Sequence, residues 1–357
     1  MNNMHPQISD YESARQRLQL QAQQNLFKHA IALEFGGLGD DFQGLVEAHT
    51  AVGVQCQDTG LILSINAHLW GAVFPLLIYG TPTQQQHWLP DLLSGQLIGG
   101  HAITEPEGGS DLTALTTRAS HTVEGFSLNG CKRYITNTPI ADVLIIYARL
   151  DQQLSAFMVK KDDVGVQFTD QTQVNGCVTA TMGDVLLNNC LIPHDRLLGK
   201  MGAGAMMIQS ALELERAFIF AGISGIMHWQ LAEVIGYARE RQVQGKPLGS
   251  HQAISHKIAD MQVRLSTIRL WLNECARLKD AQKRITLVSA QTKLFASEAF
   301  MQSSLDAIQI MGARGLEVNN RLAQLVQDAL ASRLFSGSSE IQRNIIAALL
   351  GIGIYTS

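Results

Sequence analysis

The chain has 357 residues, 46% of them hydrophobic and 16% charged, with a formal net charge of −4. That length is enough for two or three packed domains, and the low charge fits a protein that hides surface in an oligomer. Without a basic block, nucleic acid and acidic membranes are poor partners, and no apolar run approaches the roughly 18 residues of a bilayer span.

The five cysteines (Cys56, Cys131, Cys177, Cys190, Cys275) are widely spaced and contain no C-x-x-C pair, which reads as reduced thiols. The first 24 residues are polar and lack the apolar core of a leader. Together these lead us to expect a cytoplasmic protein.

Along the chain, residues 11–99 carry helical spacing, interrupted at Gly36-Gly37-Leu38-Gly39 and Gly80-Thr81-Pro82. Residues 84–90 predict a short helix ended by Pro90. From 101 to 193 the period becomes two. Phe126-Ser127-Leu128, then Asn129-Gly130, then residues 131–135 predict a hairpin with a type I′ turn. Further strands are expected at 143–147, 156–159 and 184–187, with Asn188-Asn189 as a second turn. After Gly199 the helical period returns, with helices expected over 203–241, 251–279, 281–311, 320–332 and 340–350. The fold class is therefore α+β, mainly α. An N-terminal helical domain (1–100) precedes a middle β domain (101–196) and a C-terminal helical bundle (197–357).

Three stretches carry chemistry. Thr104-Glu105-Pro106-Glu107-Gly108-Gly109-Ser110-Asp111 offers close backbone approach and hydroxyl donors. In Tyr134-Ile135-Thr136-Asn137, a hydroxyl beside an aromatic ring can face a flat heteroaromatic group. Gly337-Ser338-Ser339-Glu340-Ile341-Gln342-Arg343 opens a helix whose free N–H groups favour an anion. His68, His87 and His228 have no partner at metal-ligand spacing. Gly199-Lys200-Met201-Gly202-Ala203-Gly204 lies outside any βαβ pattern, so it is not a dinucleotide fingerprint.

Taken together and in this order, the three stretches resemble the acyl-CoA dehydrogenase family: its T-E-P-x-x-G-S-D, aromatic-I-T-N and G-T/S-S-E-I-Q-R segments. Tyr237-Ala238-x-x-Arg241, Gly245-Lys246-Pro247-Leu248 and Gln309-Ile310-Met311-Gly312 add to the match. The resemblance implies an N-terminal helical domain, a middle β domain (a small barrel or sandwich) and a C-terminal four-helix bundle. It implies FAD as cofactor and a homotetramer built from dimers, or a dimer. Thr104 and Thr136 would sit at the isoalloxazine ring, with Tyr134 beside it and Ser110 near the pyrophosphate and the thioester arm. Ser338 and Glu340 would lie by the FAD of their own subunit. Arg241, Gln252, Gln309 and Gly312 would hold that of the neighbour, and a guanidinium fork suits a pyrophosphate.

The reaction so implied removes an α-proton from an acyl thioester while the β-hydrogen leaves as hydride to flavin N5. In many family members the base is a Glu before the glycine of the C-terminal motif. That position is Ser336 here, too weak a base. Isovaleryl-CoA dehydrogenase instead carries a Glu before an Arg on a helix, matched by Glu215-Arg216. Three and four residues from Glu215 stand Ala211, Leu212, Phe218 and Ile219, an apolar face on which a carboxylate must be paired, protonated or functional. Glu215 is therefore the expected base. Arg216, Ser110 and Ser336 are expected at the substrate, with a backbone N–H near Ser336 polarising the thioester carbonyl. The expected partners are an acyl-CoA, or an acyl or aminoacyl group tethered to a carrier protein, and an electron acceptor such as an electron-transfer flavoprotein. Gln244 and Gln327 depart from the family's usual aromatic and arginine, which points to a specialised branch.

Overall fold

The computed structural model describes residues 8–318 and 320–353. Its first region is helical: α1 (Ile8–Gln23), α2 (Phe42–Cys56), α3 (Thr59–His68), a π turn (Leu69–Val73), α4 (Phe74–Tyr79) and α5 (Pro82–Leu93). Side-chain caps start α2, α3 and α5. Asp41 accepts from the Gly44 N–H, Asp58 from that of Leu61, and Thr81 and Gln84 form a reciprocal capping box.

Pro90 was expected to end α5, but the helix runs on to Leu93. Trp88, Leu89, Leu92 and Leu93 are all buried, and this packing outweighs the one hydrogen bond that proline removes. Two helical stretches, Thr59–Tyr79 and Gly204–Glu240, are long and apolar enough to cross a membrane, which corrects the reading that no such run exists. Their most apolar windows are 89% and 72% buried, as in the core helices of a folded domain.

The middle region is a mixed sheet of eight strands: β1 (Gly99–Ala102), β2 (Arg118–His121), β3 (Gly125–Thr136), β4 (Val143–Leu150), β5 (Gln153–Lys160), β6 (Val166–Phe168), β7 (Met182–Pro193) and β8 (Leu197–Leu198). The order is β6-β7-β3-β2-β4-β5-β8, with β1 parallel to β4. Strand period two divides β4 between two cores. Leu144, Ile146, Ala148 and Leu150 face the β core with Phe126, Phe157 and Val185, whereas Val143, Ile145 and Tyr147 join the helical core. Being buried on both faces, the strand reads as an unbroken apolar run.

Neither expected turn in this region is a turn. Asn129-Gly130 lies inside β3 and Asn188-Asn189 inside β7, opposite each other across the β3–β7 pair. The Asn189 N–H donates to Asn129 Oδ1 (2.8 Å), so the two irregularities form one matched bulge. Glycine is needed at 130 because an added Cβ would lie 2.6 Å from Thr117 Oγ1 and 2.9 Å from its Cα. Close approach, and not a chain reversal, explains that residue.

The third region holds α6 (Gly204–Glu240), α7 (Gln252–Asp280), α8 (Thr286–Met311), α9 (Arg321–Ser332) and α10 (Ser339–Leu349). The long helices α6, α7 and α8 pack on one another, with α9 and α10 against α8. Helix α2 crosses α6 so closely that a Cβ at Gly53 would sit 1.9 Å from the Gly222 carbonyl oxygen. The sequence pattern starts α8 at 281, but it begins at Thr286. Gln282 takes φ 55° and breaks the run. Glu213, on α6, then accepts from the Ile285 N–H (3.2 Å) and the Thr286 hydroxyl, capping α8 from outside.

Candidate active site

A cavity of about 1610 Å³ opens between the sheet and the helical bundle. A single drug-sized ligand fills roughly 300–1,000 Å³, so this space has room for a cofactor and a substrate arm together. The sheet side contributes His101, Thr104, Ser110, Tyr134 and Thr136, and the helical side Glu215, Arg216, Ser336 and Ser338.

The sheet-side wall is built on a buried ion pair. Glu105 accepts from Lys132 Nζ (2.8 Å), the Thr116 N–H (2.6 Å), the Thr116 hydroxyl (2.7 Å) and the Thr117 N–H (3.0 Å). Burial alone would raise its pKa, but the Lys132 ammonium and the other donors outweigh burial and bring it down to about 2. The pair ties the Thr104–Asp111 loop to β3. Beyond Lys132 the β3–β7 register shifts, and Tyr134 takes φ 58°, which turns its half-exposed ring out beside the cavity. The Arg133 guanidinium lies 5.0 Å from the centre of that ring.

On the helical side Glu215 is 6% exposed. Its Oε1 accepts the Ser336 hydroxyl at 2.7 Å, while Oε2 is buried without a hydrogen-bond partner among the described residues and lies 3.5 Å from His101 Nε2. The serine that occupies the other base position therefore holds the carboxylate on α6. Arg216 Nε donates to the Ser336 carbonyl (3.1 Å), and Gln342 Nε2 to the Gly337 carbonyl (2.8 Å). Ser336 (φ 55°) and Gly337 (φ 89°) are both left-handed, and their N–H groups have no partner among the described residues. A serine in that conformation stores about 1–2 kcal/mol. Lys293, fully buried, donates to the Arg333 carbonyl (2.9 Å) and anchors the turn from below. Burial lowers its pKa to about 7.

The cavity thus unites Thr104, Ser110, Tyr134, Thr136, Glu215, Arg216, Ser336 and Ser338. Ser338 caps α10, accepting from the Ile341 N–H. Glu340 projects outward beside Arg343 and does not line the cavity. Arg241, Gln252, Gln309 and Gly312 lie elsewhere, exposed or at a second concavity of about 580 Å³ that Arg241 and Gly312 share with Tyr237 and Arg314. Arg241 is about 39 Å of helix rise from Glu215, so the two groups cannot grip one cofactor within a chain.

Sequence reasoning missed His101, the Glu105–Lys132 pair and Lys293. Lys293 left a trace, since Ser289, Ala290, Ala296 and Ser297, three and four residues away, are all small. His68, set aside as a lone histidine, accepts the Gly99 N–H at Nδ1 and meets the Leu92 carbonyl at Nε2 (3.0 Å). It ties α3 to β1.

A half-satisfied carboxylate thus faces a hydroxyl-lined wall across a space wide enough for a large cofactor and a substrate arm. The chain belongs to the acyl-CoA dehydrogenase family. The family's N-terminal, middle and C-terminal domain models match residues 2–96, 100–190 and 202–351. The chain is 35% identical over 324 residues to the L-prolyl-[peptidyl-carrier protein] dehydrogenase of Pseudomonas fluorescens, spanning 89% of this chain and 85% of that one. It is 33% identical over 322 residues to the mitochondrial short-chain specific acyl-CoA dehydrogenase of Mus musculus, covering 89% and 78%. A solved structure described as the FAD complex of PigA superposes with a TM-score of 0.90 at 30% identity, covering 99% of each chain.

The protein is an FAD-dependent oxidoreductase of the acyl-CoA dehydrogenase type, and its residues fit the cofactor. Thr104, Thr136 and Ser110 on the sheet side and Ser338 at the start of α10 supply polar contacts around a cavity large enough for FAD.

Proposed function

We propose that this enzyme oxidises the Cα–Cβ bond of an aminoacyl group, of the prolyl kind, held as a thioester on a carrier protein, with Glu215 as the base. The observation that carries the reading is Glu215 itself: buried, facing the cavity, with one oxygen held by Ser336 and the other without a hydrogen-bond partner among the described residues. FAD, held by Thr104, Thr136, Ser110 and Ser338, would supply the hydride acceptor for the hydrogen on Cβ. Glu215 takes the α-proton. The N–H groups of Ser336 and Gly337, without a partner among the described residues, would serve as the donors that stabilise negative charge on the thioester carbonyl oxygen. Arg216 keeps their turn in place.

The carrier-bound substrate is supported by the relative from Pseudomonas fluorescens. A CoA thioester is the second reading, supported by the short-chain relative. Lys279, Lys283 and Arg284 line one side of the cavity, with Lys283 and Arg284 exposed, and suit the anionic arm of either carrier.

The same proposal makes the enzyme a homodimer or a homotetramer of dimers. Arg241, Gln252, Gln309 and Gly312 then serve the cofactor of a neighbouring subunit, and exposed Leu334, Leu349, Leu350 and Ile352 find cover. Its electrons pass to an external acceptor such as an electron-transfer flavoprotein. Five free cysteines support a cytoplasmic setting.

The test is an anaerobic titration of the holoenzyme with L-prolyl thioester on a carrier protein, L-prolyl-pantetheine, butyryl-CoA and isovaleryl-CoA, following the flavin absorbance. Bleaching by the prolyl carrier alone supports the first reading. Bleaching by a free acyl-CoA at least as fast moves the enzyme to the second, and no bleaching with any of them contradicts both.

A further inference from the structure

We propose that His101 is a positioning residue for the base: its Nε2–H holds Oε2 of Glu215 and so sets the direction from which the carboxylate meets the substrate α-carbon. The inference rests on Glu215 being that base.

Its ground is geometric. Glu215 has two oxygens and, among the described residues, one hydrogen bond, from the Ser336 hydroxyl to Oε1. A carboxylate held at one oxygen still turns about its last side-chain bond, and a second donor on Oε2 fixes that angle. The group placed to do so is His101 Nε2, at 3.5 Å. That separation is somewhat longer than a made hydrogen bond, as catalytic contacts often are before a substrate is bound.

The imidazole is itself pinned. His101 lies on β1, opposite Ile145 of β4, and its backbone and ring press on the π turn at Gly71, where an added Cβ would lie 2.7 Å from His101 N and 3.1 Å from its Cγ. A glycine at 71 is what lets the histidine sit there.

The tautomer follows from the surroundings. Nδ1 is buried and has no hydrogen-bond partner among the described residues, whereas Nε2 faces a carboxylate oxygen. A neutral ring carries one N–H proton, and only on Nε2 does it meet an acceptor. Burial lowers the His101 pKa below the usual 6.5, with Glu215 opposing. The ring is thus a neutral donor near pH 7, which orients the carboxylate without neutralising it as an imidazolium would.

The test uses holoenzyme variants His101→Phe and His101→Gln, each also combined with Glu215→Gln, in anaerobic stopped-flow bleaching with L-prolyl thioester on a carrier protein and with isovaleryl-CoA. At saturating thioester, His101→Phe is expected to slow bleaching roughly 10- to 100-fold, the scale of a misdirected catalytic group. The half-saturating concentration should stay within about threefold, because the loss falls on the chemical step. His101→Gln, with an amide N–H to offer, should recover most of the rate. In the Glu215→Gln background, His101→Phe should cost nothing further.

His101→Gln as slow as His101→Phe, or a loss of the same factor with Glu215 already replaced, would assign His101 to packing and overturn the proposal. If the Phe variant does not fold, the ¹⁵N shifts of the wild-type ring decide: a neutral Nε2–H tautomer at pH 7 is expected, and Nδ1–H or an imidazolium overturns it. A Glu215→Gln enzyme that bleaches like wild type sinks the base assignment itself. An inactive Glu215→Gln beside a fully active His101→Phe sinks only the role of His101.

Discussion

Two buried carboxylates stand on opposite sides of the cavity, and their surroundings differ in one respect. Glu105, in the loop after β1, is 4% exposed and accepts four hydrogen bonds, one of them from the Lys132 ammonium. Glu215, in the middle of α6, is 6% exposed and accepts one, from Ser336. Equal burial with unequal satisfaction separates a carboxylate that holds the fold from one that is left able to react. A buried polar atom without a partner costs stability, and active sites are where such a cost is kept.

The widest break in the comparison comes from neutralising each carboxylate. Glu215→Gln should lower the rate of flavin bleaching by about 10³-fold, within the range for a lost general base, with FAD content and thermal midpoint close to wild type. Glu105→Gln should do the reverse. It leaves Lys132 buried without its counter-charge and should cost about 3–5 kcal/mol of unfolding free energy in urea, while any enzyme that remains folded keeps its bleaching rate.

The same pair predicts an acid limb. Glu105 has an unfolded pKa near 4.5 and a folded one near 2. Its contribution is fully present above the unfolded value and is lost as the pH falls from there towards 2. Wild type should therefore lose stability over that window more steeply than Glu105→Gln, as read by urea midpoints at stepped pH.

A smaller effect probes the distal end of α6. Arg241→Ala should weaken FAD retention about tenfold, the size of a lost hydrogen bond to a charged group, without changing the bleaching rate of flavin-loaded enzyme. Unchanged FAD affinity in an enzyme shown to be oligomeric would remove the neighbouring-subunit role proposed for that surface. The finest test separates two properties of Ser336. Ser336→Ala and Ser336→Gly both remove the hydroxyl from Glu215 and should slow bleaching alike, by about tenfold. Only the glycine relieves the left-handed backbone, so it should be the more stable of the two by about 1 kcal/mol.

The long helices were legible because a 3.6-residue period persists over dozens of residues, and α6 and α7 begin and end within two residues of the spans read from the sequence. What misled was local chemistry overruled by packing. Pro90 stays inside α5 because the residues around it are buried, and Asn129-Gly130 and Asn188-Asn189 carry a turn's composition but serve a bulge that only the pairing of β3 with β7 creates. Glu215 was singled out from its apolar helical neighbours together with the family pattern, and the structure places it, buried, at the cavity. His101 was not, because it reaches Glu215 from a strand 114 residues earlier in the chain, and no spacing rule connects them. Ser336 was read as a vacated base position, and only the structure shows its hydroxyl on the carboxylate.

The most direct test of Glu215 as the base isolates the proton step from the hydride step. An acetyl thioester, on the carrier protein or on CoA, whichever the enzyme accepts, has α-hydrogens but no β-carbon to give a hydride, so in D₂O it reports only proton removal and return. Holoenzyme should exchange the acetyl hydrogens for deuterium, the Glu105→Gln enzyme should do the same while folded, and Glu215→Gln should not exchange above the uncatalysed rate. Exchange by Glu215→Gln as fast as by wild type would place the base on another residue and contradict the account.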